Sequence, residues 1–129
     1  MENGHLLTYK DLKVTKVSVD FDLLGGKREL PWSIAGMMRL KEDGVLEVGI
    51  QAHCEKIALF EMKGIFEPSG FDPDNQEQVT DIRTWSFAFL FPYLRSLIDQ
   101  TFAAARHPMR PFPIIDVYSV FGKVPLTKE

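Results

Sequence analysis

The sequence predicts an α+β fold: a four-stranded antiparallel meander followed by helices packed on one side. Three observations carry this. Apolar and polar residues alternate in four stretches between Leu6 and Phe66, the two-residue period of half-buried strands. From Phe87 the period changes: Phe87, Leu90, Phe91, Leu94, Leu97, Ile98, Phe102 and Ala105 follow helical spacing. The strands all precede the helices, which is the segregated order of an α+β chain.

The first strand is predicted from Leu6 to Leu23. Val17, Val19, Phe21 and Leu23 alternate with Lys16, Ser18, Asp20 and Asp22, while Leu12 and Val14 keep the opposite parity. That change of phase near Thr15 predicts a bulge, since side-chain direction otherwise flips at every residue. Leu24 to Pro31, with Gly25-Gly26, Lys27-Arg28-Glu29 and Pro31, reads as a flexible connection rather than a tight hairpin. Its large apolar residues, Leu24 and Leu30, and Trp32 beyond it, are either clamped onto the body or used for binding. Trp32 to Leu40 is the second predicted strand and Asp43-Gly44 its turn. Val45 to His53 is the third. Ile57 to Phe66 is the fourth, apolar on both faces, as in a sheet covered on both sides.

Pro68 and Gly70 end the sheet. Asp72-Pro73-Asp74 predicts a short helix to about Thr84, with Asp72 as N-cap, Pro73 in the first turn, and Asp74 and Glu77 facing the positive end of the helix dipole. The central helix comes next. Pro92 lacks an amide hydrogen and clashes with the turn before it, so the prediction there is a kink or a start near Phe91. Arg106-His107 ends it, because Pro108 disfavours helical geometry in the residue before. Pro108, Pro111 and Pro113 enforce an extended connection. Asp116 is placed to cap a last short helix through Phe121, with Gly122 at its end. Lys123 to Glu129 reads as a frayed tail.

The central helix is apolar on more than one side. Trp85, Phe87, Phe89, Phe91 and Tyr93 crowd one short run, and Phe89 points off the main stripe. Such a helix belongs in a core or between subunits. Phe87, Phe91, Leu94, Leu97 and Ile98 are the predicted oligomer-interface residues.

The 129 residues suit one domain, 1–129, with a real core. The net charge of −3 comes with no basic stripe, which argues against nucleic acid as partner. No apolar run reaches membrane-spanning length, and Met1-Glu2-Asn3-Gly4-His5 does not read as a signal peptide. With a single cysteine there is no internal disulfide, and the expected compartment is the cytoplasm.

Catalytic groups do not assemble in the sequence. His53 and Cys54 are adjacent, and strand neighbours point to opposite faces, so they make a poor nucleophile–base pair. His5 falls in a terminus read as mobile, and His107 at a helix end, where a cation suits the dipole. No histidine pair has metal-ligand spacing, and Asp72, Asp74, Asn75 and Glu77 lack the glycine and closing glutamate of a calcium loop. Gly25-Gly26 is followed by neither Lys-Ser nor Lys-Thr, so it is no phosphate loop. No cofactor is expected. Apolar surface without catalytic groups favours binding over catalysis.

Gly64-Ile65-Phe66, Gly70-Phe71, Leu90-Phe91-Pro92-Tyr93-Leu94-Arg95 and the exit Pro108 to Pro113 together resemble the bacterial export chaperone family SecB, over about Tyr9 to Phe121. The resemblance implies a cytoplasmic, ATP-independent holdase for non-native polypeptides, assembled as a homotetramer, a dimer of dimers. The long helices are sandwiched between sheets in that assembly. It implies a client groove between the loop joining the first two strands and the segment after the long helix. On this chain that groove maps to Leu24, Leu30, Trp32, Phe102, Met109, Phe112 and Ile115. It also implies a hand-over partner, the translocase ATPase SecA, for which Asp20, Asp22, Glu47 and Glu61 offer a charged sheet surface. The chain departs from the family after Phe121: the family's last helix runs into a polar tail that engages SecA, and here Lys-Val-Pro-Leu-Thr-Lys-Glu comes soon after. The family also includes members devoted to one client such as an antitoxin. A small α+β enzyme of the hotdog thioesterase kind is the alternative from another class.

Overall fold

The computed structural model describes residues 5–27, 29–107 and 112–129. Arg28, Met109, Pro108 and Pro111, all used above, lie outside the described residues. The elements run β1 (Leu6–Val19), a one-turn helix α1 (Phe21–Leu24), β2 (Ser33–Leu40), β3 (Leu46–Cys54), β4 (Ala58–Ser69), the long helix α2 (Gln76–Ala104), a short α3 (Val117–Phe121) and β5 (Leu126–Lys128). The architecture is α+β, one sheet with helices on one face.

The sheet order is β1-β4-β3-β2-β5. β2, β3 and β4 form a three-stranded meander where the alternation predicts four strands, and the Asp43 carboxylate accepts the Val45 N–H to shape the first turn. β1 pairs with β4 instead of β2, antiparallel from Leu6 opposite Ser69 to Val19 opposite Ala58. The connection between β1 and β2 is too long and too glycine-rich for a hairpin, which leaves β1 free to cross to the other edge. The register slips between Val14 and Lys16, at the expected Thr15 bulge, and a second time between Tyr9 and Asp11. The Thr15 hydroxyl donates to Glu61, 2.8 Å to Oε1 and 3.1 Å to its carbonyl oxygen, and so pins the bulge.

Three expectations are corrected. β1 ends at Val19, because the Asp20 carboxylate accepts the N–H groups of Asp22 and Leu23 and caps α1. The two predicted helices are one: α2 runs 29 residues with Pro92 inside it, capped by Asn75 and not Asp72. Asn75 Oδ1 accepts from the N–H of Glu77 and Gln78, while Asp72 shapes the turn before it. Pro92 and Ala88 are both exposed, so solvent reaches the turn where Pro92, lacking an N–H, leaves the Ala88 carbonyl without its helical donor. The tail is not frayed: Leu126–Lys128 adds a parallel strand beside β2, with Met38 opposite Leu126. The expected last helix forms, with Asp116 as cap and Gly122 at its end.

α2 lies over β3 and β4, and α3 lies over β2. The core between them holds Leu46, Val48, Ile50, Phe60, Met62 and Phe66 from the sheet, and Ile82, Phe87, Leu90, Leu94 and Ile98 from α2. Each such side chain contributes about 1.5–3 kcal/mol by burial, and together they outweigh the roughly 3 kcal/mol cost of a proline inside the helix. The Arg83 guanidinium donates to the Val124 carbonyl at 2.8 Å and ties α2 to the chain after α3. α2 barely reaches β1, so Tyr9, Val14 and Val17 stay about half exposed beside it.

Candidate binding site

Three of the predicted groove residues, Trp32, Phe102 and Phe112, meet near the C-terminal end of α2. Trp32 precedes β2 and sits 5.1 Å from Phe112, 6.0 Å from Phe60 and 6.4 Å from Phe102, ring centre to ring centre. Phe60 and Phe102 are 6.2 Å apart, and Phe112 lies 5.9 Å from Phe91. These are the tilted and edge-on contacts that aromatic rings prefer. The returning chain is held there by the Asp99 carboxylate of α2, which accepts the Phe112 N–H at 3.2 Å.

Burial divides the set. Leu24, Phe102 and Phe112 are enclosed, at 0%, 4% and 2% exposure, whereas Leu30, Trp32 and Ile115 are half-buried against the cluster. Within the aromatic cluster Trp32 is thus the half-buried ring, set against the enclosed Phe60, Phe102 and Phe112. Met109 lies outside the described residues.

α1 closes part of this site. Phe21 meets the Phe102 ring edge-on at 5.9 Å and lies 6.1 Å from His107. His107 Nε2 is 2.9 Å from the Gly25 carbonyl oxygen, so the imidazole N–H bridges the end of α2 to the end of α1. Gly25 has φ +56°, a left-handed conformation open to glycine at little cost. Sequence reasoning missed Phe21, Phe60, Asp99 and His107 as members of the site. Phe60 reads as one strand residue among several and Asp99 as helix surface, and no local pattern announces contacts this distant.

The expected interface residues are placed inside the protomer. Phe87, Phe91, Leu94 and Ile98 are buried and Leu97 half-buried, all in or against the chain's own core. What α2 leaves open is its other side, with Trp85 and Tyr93 at 41% and 47% exposure. Trp85 and Phe89 join Leu7, Tyr9 and Phe66 around an open hollow of about 260 Å³ between α2 and the uncovered face of β1. His5 is no mobile residue: it is 4% exposed, stacks on Trp85 at 5.3 Å and lies 3.1 Å from the Asp81 carboxylate.

The other polar groups have structural roles. Glu47 is buried and paired with Arg39 at 2.6 Å, Glu61 holds the Thr15 bulge and Asp20 caps α1, while Asp22 is exposed. Cys54 is buried, which pushes its thiol up to about 11, with Lys27 pulling weakly the other way. His53 is half-buried beside Gln51. Among the described residues no three of His, Cys, Asp and Glu are grouped to hold a metal ion, and no helix is long and apolar enough to cross a membrane.

The chain is thus a sheet with one long helix laid along it and an aromatic cluster at that helix's end. No protein-family model and no curated protein matches the sequence. Solved structures match in shape. One is the SecB-like chaperone of Mycobacterium tuberculosis in complex with a ChAD peptide from the HigA1 antitoxin, with a TM-score of 0.55 and 18% identity over 84% of this chain and 90% of that chain. The chain thus has the SecB-like fold.

Proposed function

We propose that this protein is a polypeptide-binding chaperone that works without nucleotide, and that the aromatic cluster at the end of α2 is where apolar client segments dock. The observation that carries the reading is the half-buried Trp32 set against the enclosed rings of Phe60, Phe102 and Phe112, with Leu30 and Ile115 half-buried against the same core. Contacts of this kind tolerate many sequences, because affinity comes from apolar area rather than from directed hydrogen bonds. The SecB-like fold supports the same reading.

The protomer works as part of a homo-oligomer, a dimer or a dimer of dimers, in the cytoplasm. The outer edge of β1, which pairs with no strand among the described residues, and the exposed Trp85 and Tyr93 are the surfaces that a second copy covers. A long edge strand left open is a template for pairing with another chain. In the export branch of this reading, SecA receives the client.

The second reading is a chaperone dedicated to one partner. It is favoured by the solved structure of similar fold, whose occupant is a peptide of one antitoxin. The test begins with aggregation of a chemically denatured protein, mixed with wild type or with a Trp32→Ala, Leu30→Ala double variant. Wild type suppresses aggregation without nucleotide. The variant loses about 1–3 kcal/mol of client affinity, the scale of an interface anchor. No suppression by wild type at several-fold excess overturns the general holdase. Proteins retained from the host then separate the branches: many unrelated chains indicate a general holdase, SecA among them indicates export, and one abundant partner indicates the dedicated form.

A further inference from the structure

We propose that the turn Phe21–Leu24 is a built-in occupant of the client groove, latched by His107 on Gly25, and that clients displace it by presenting an aromatic residue with a leucine three positions later. This rests on the polypeptide-binding reading above and specifies which segments that site takes.

α1 is four residues long, far below the length at which a helix holds itself together in water. It is not part of the sheet either: β1 ends before it, and β2 starts well after it. Among the described residues, two side chains and one latch fasten it to the body. Leu24 is wholly enclosed within the core cluster that includes Phe102 and Phe112. Phe21, three positions earlier and so on the same side of a helical turn, lays its ring against Phe102 and His107. The latch is the contact of His107 Nε2 with the Gly25 carbonyl at 2.9 Å; a carbonyl only accepts, so the imidazole is the donor.

The chain beyond the turn is suited to movement. Gly25 and Gly26 come next, and a Cβ on Gly26 would meet nothing within 4 Å. Leu24, wholly enclosed, thus rides on a single turn that ends in two glycines. An apolar segment from another chain with the same spacing offers the cluster the same contacts.

The consequence is a closed ground state. A site that is open for only a fraction of the time binds more weakly by that fraction, so freeing a groove that is open one-tenth of the time tightens binding about tenfold.

The experiment uses the full chain, wild type and His107→Ala, with fluorescein-labelled, reduced and carboxymethylated lactalbumin as a permanently unfolded probe. The expected result is probe binding about tenfold tighter by His107→Ala, with an unchanged circular dichroism spectrum. A second arm needs no variant protein. An eight-residue peptide with the sequence of positions 19–26 competes with the probe on wild type, and versions carrying serine in place of its Phe21 or Leu24 equivalents do not. Equal or weaker probe binding by a folded His107→Ala overturns the latch. Failure of the unaltered peptide to compete overturns the spacing. If wild type and His107→Ala both bind no probe, the groove reading itself falls and the latch goes with it.

Discussion

Phe87 of α2 and Phe121 of α3 stack face to face, with ring centres 4.4 Å apart and planes within 1° of parallel. Gly36 of β2 lies directly beneath: a Cβ there would stand 2.6 Å from the Phe87 ring and 3.0 Å from that of Phe121. The stack is what joins the short last helix to the long one, and it exists because β2 has no side chain at that point. Gly36→Ala forces both enclosed rings to shift, and overpacking of a filled core costs about 1–3 kcal/mol. A thermal melt checks it; an unchanged midpoint would mean the stack has room to give.

Leu94 and Leu97 lie one turn apart on α2 but differ in burial, wholly enclosed against half-buried. Leu94→Ala is expected to lose about 2–5 kcal/mol through transfer and cavity terms. Leu97→Ala is expected to lose about 1 kcal/mol, since less apolar area leaves water there. Urea unfolding of the two variants should keep this order. Leu94→Asp, which buries a lone carboxylate, is expected to abolish folding.

Assembly should depend on the open surfaces and not on the buried stripe. Tyr93 and Val14 are 47% and 50% exposed in the protomer, so an aspartate at either costs the isolated fold little. Light scattering should find wild type as a dimer or larger, and the Tyr93→Asp, Val14→Asp double variant as a smaller, still folded species. An unchanged oligomer places the contact elsewhere.

Burial of Cys54 gives an alkaline signature. Its thiol is pushed up to about 11 in the fold from an ordinary 9.0. The folded state keeps its proton where the unfolded chain has given it up. Stability therefore falls as pH rises from about 9 toward 11, and this contribution to the pH dependence is absent at neutral pH. Cys54→Ala should remove that part of the decline. At pH 8 iodoacetamide should modify native Cys54 at least about a hundredfold more slowly than free cysteine, because the thiolate is the nucleophile. Rapid labelling of the native protein would show that Cys54 is open to solvent.

Features set by neighbours in sequence were legible. The phase change around Thr15 located a bulge, Asp116 and Gly122 bracketed the last helix, and the helical spacing from Phe87 to Phe102 found the buried face of α2. Features set by distant partners were not. Pro92 reads as a break because its local cost is real, yet the packing of Leu90, Leu94 and Ile98 on the sheet holds the helix through it. Leu126 carries no strand pattern of its own and becomes one only because β2 presents an open edge. The aromatic cluster divides the same way. Trp32, Phe102 and Phe112 are expected together on the strength of the family resemblance, whereas Phe60, Phe21 and His107 join them through folding alone.

The strand order also sets a timetable. β2, β3 and β4 are joined by short turns and pair with their neighbours in sequence, so their loops close early. Both outer strands wait for distant partners: Leu6 must find Ser69, and Leu126 must find Met38. High contact order of this kind slows folding. During pulse-labelled refolding, amides of the central meander should gain protection first and those at the two sheet edges last. Until then the half-formed sheet leaves apolar strands unpaired, so a refolding chain is itself open to edge pairing with a second copy.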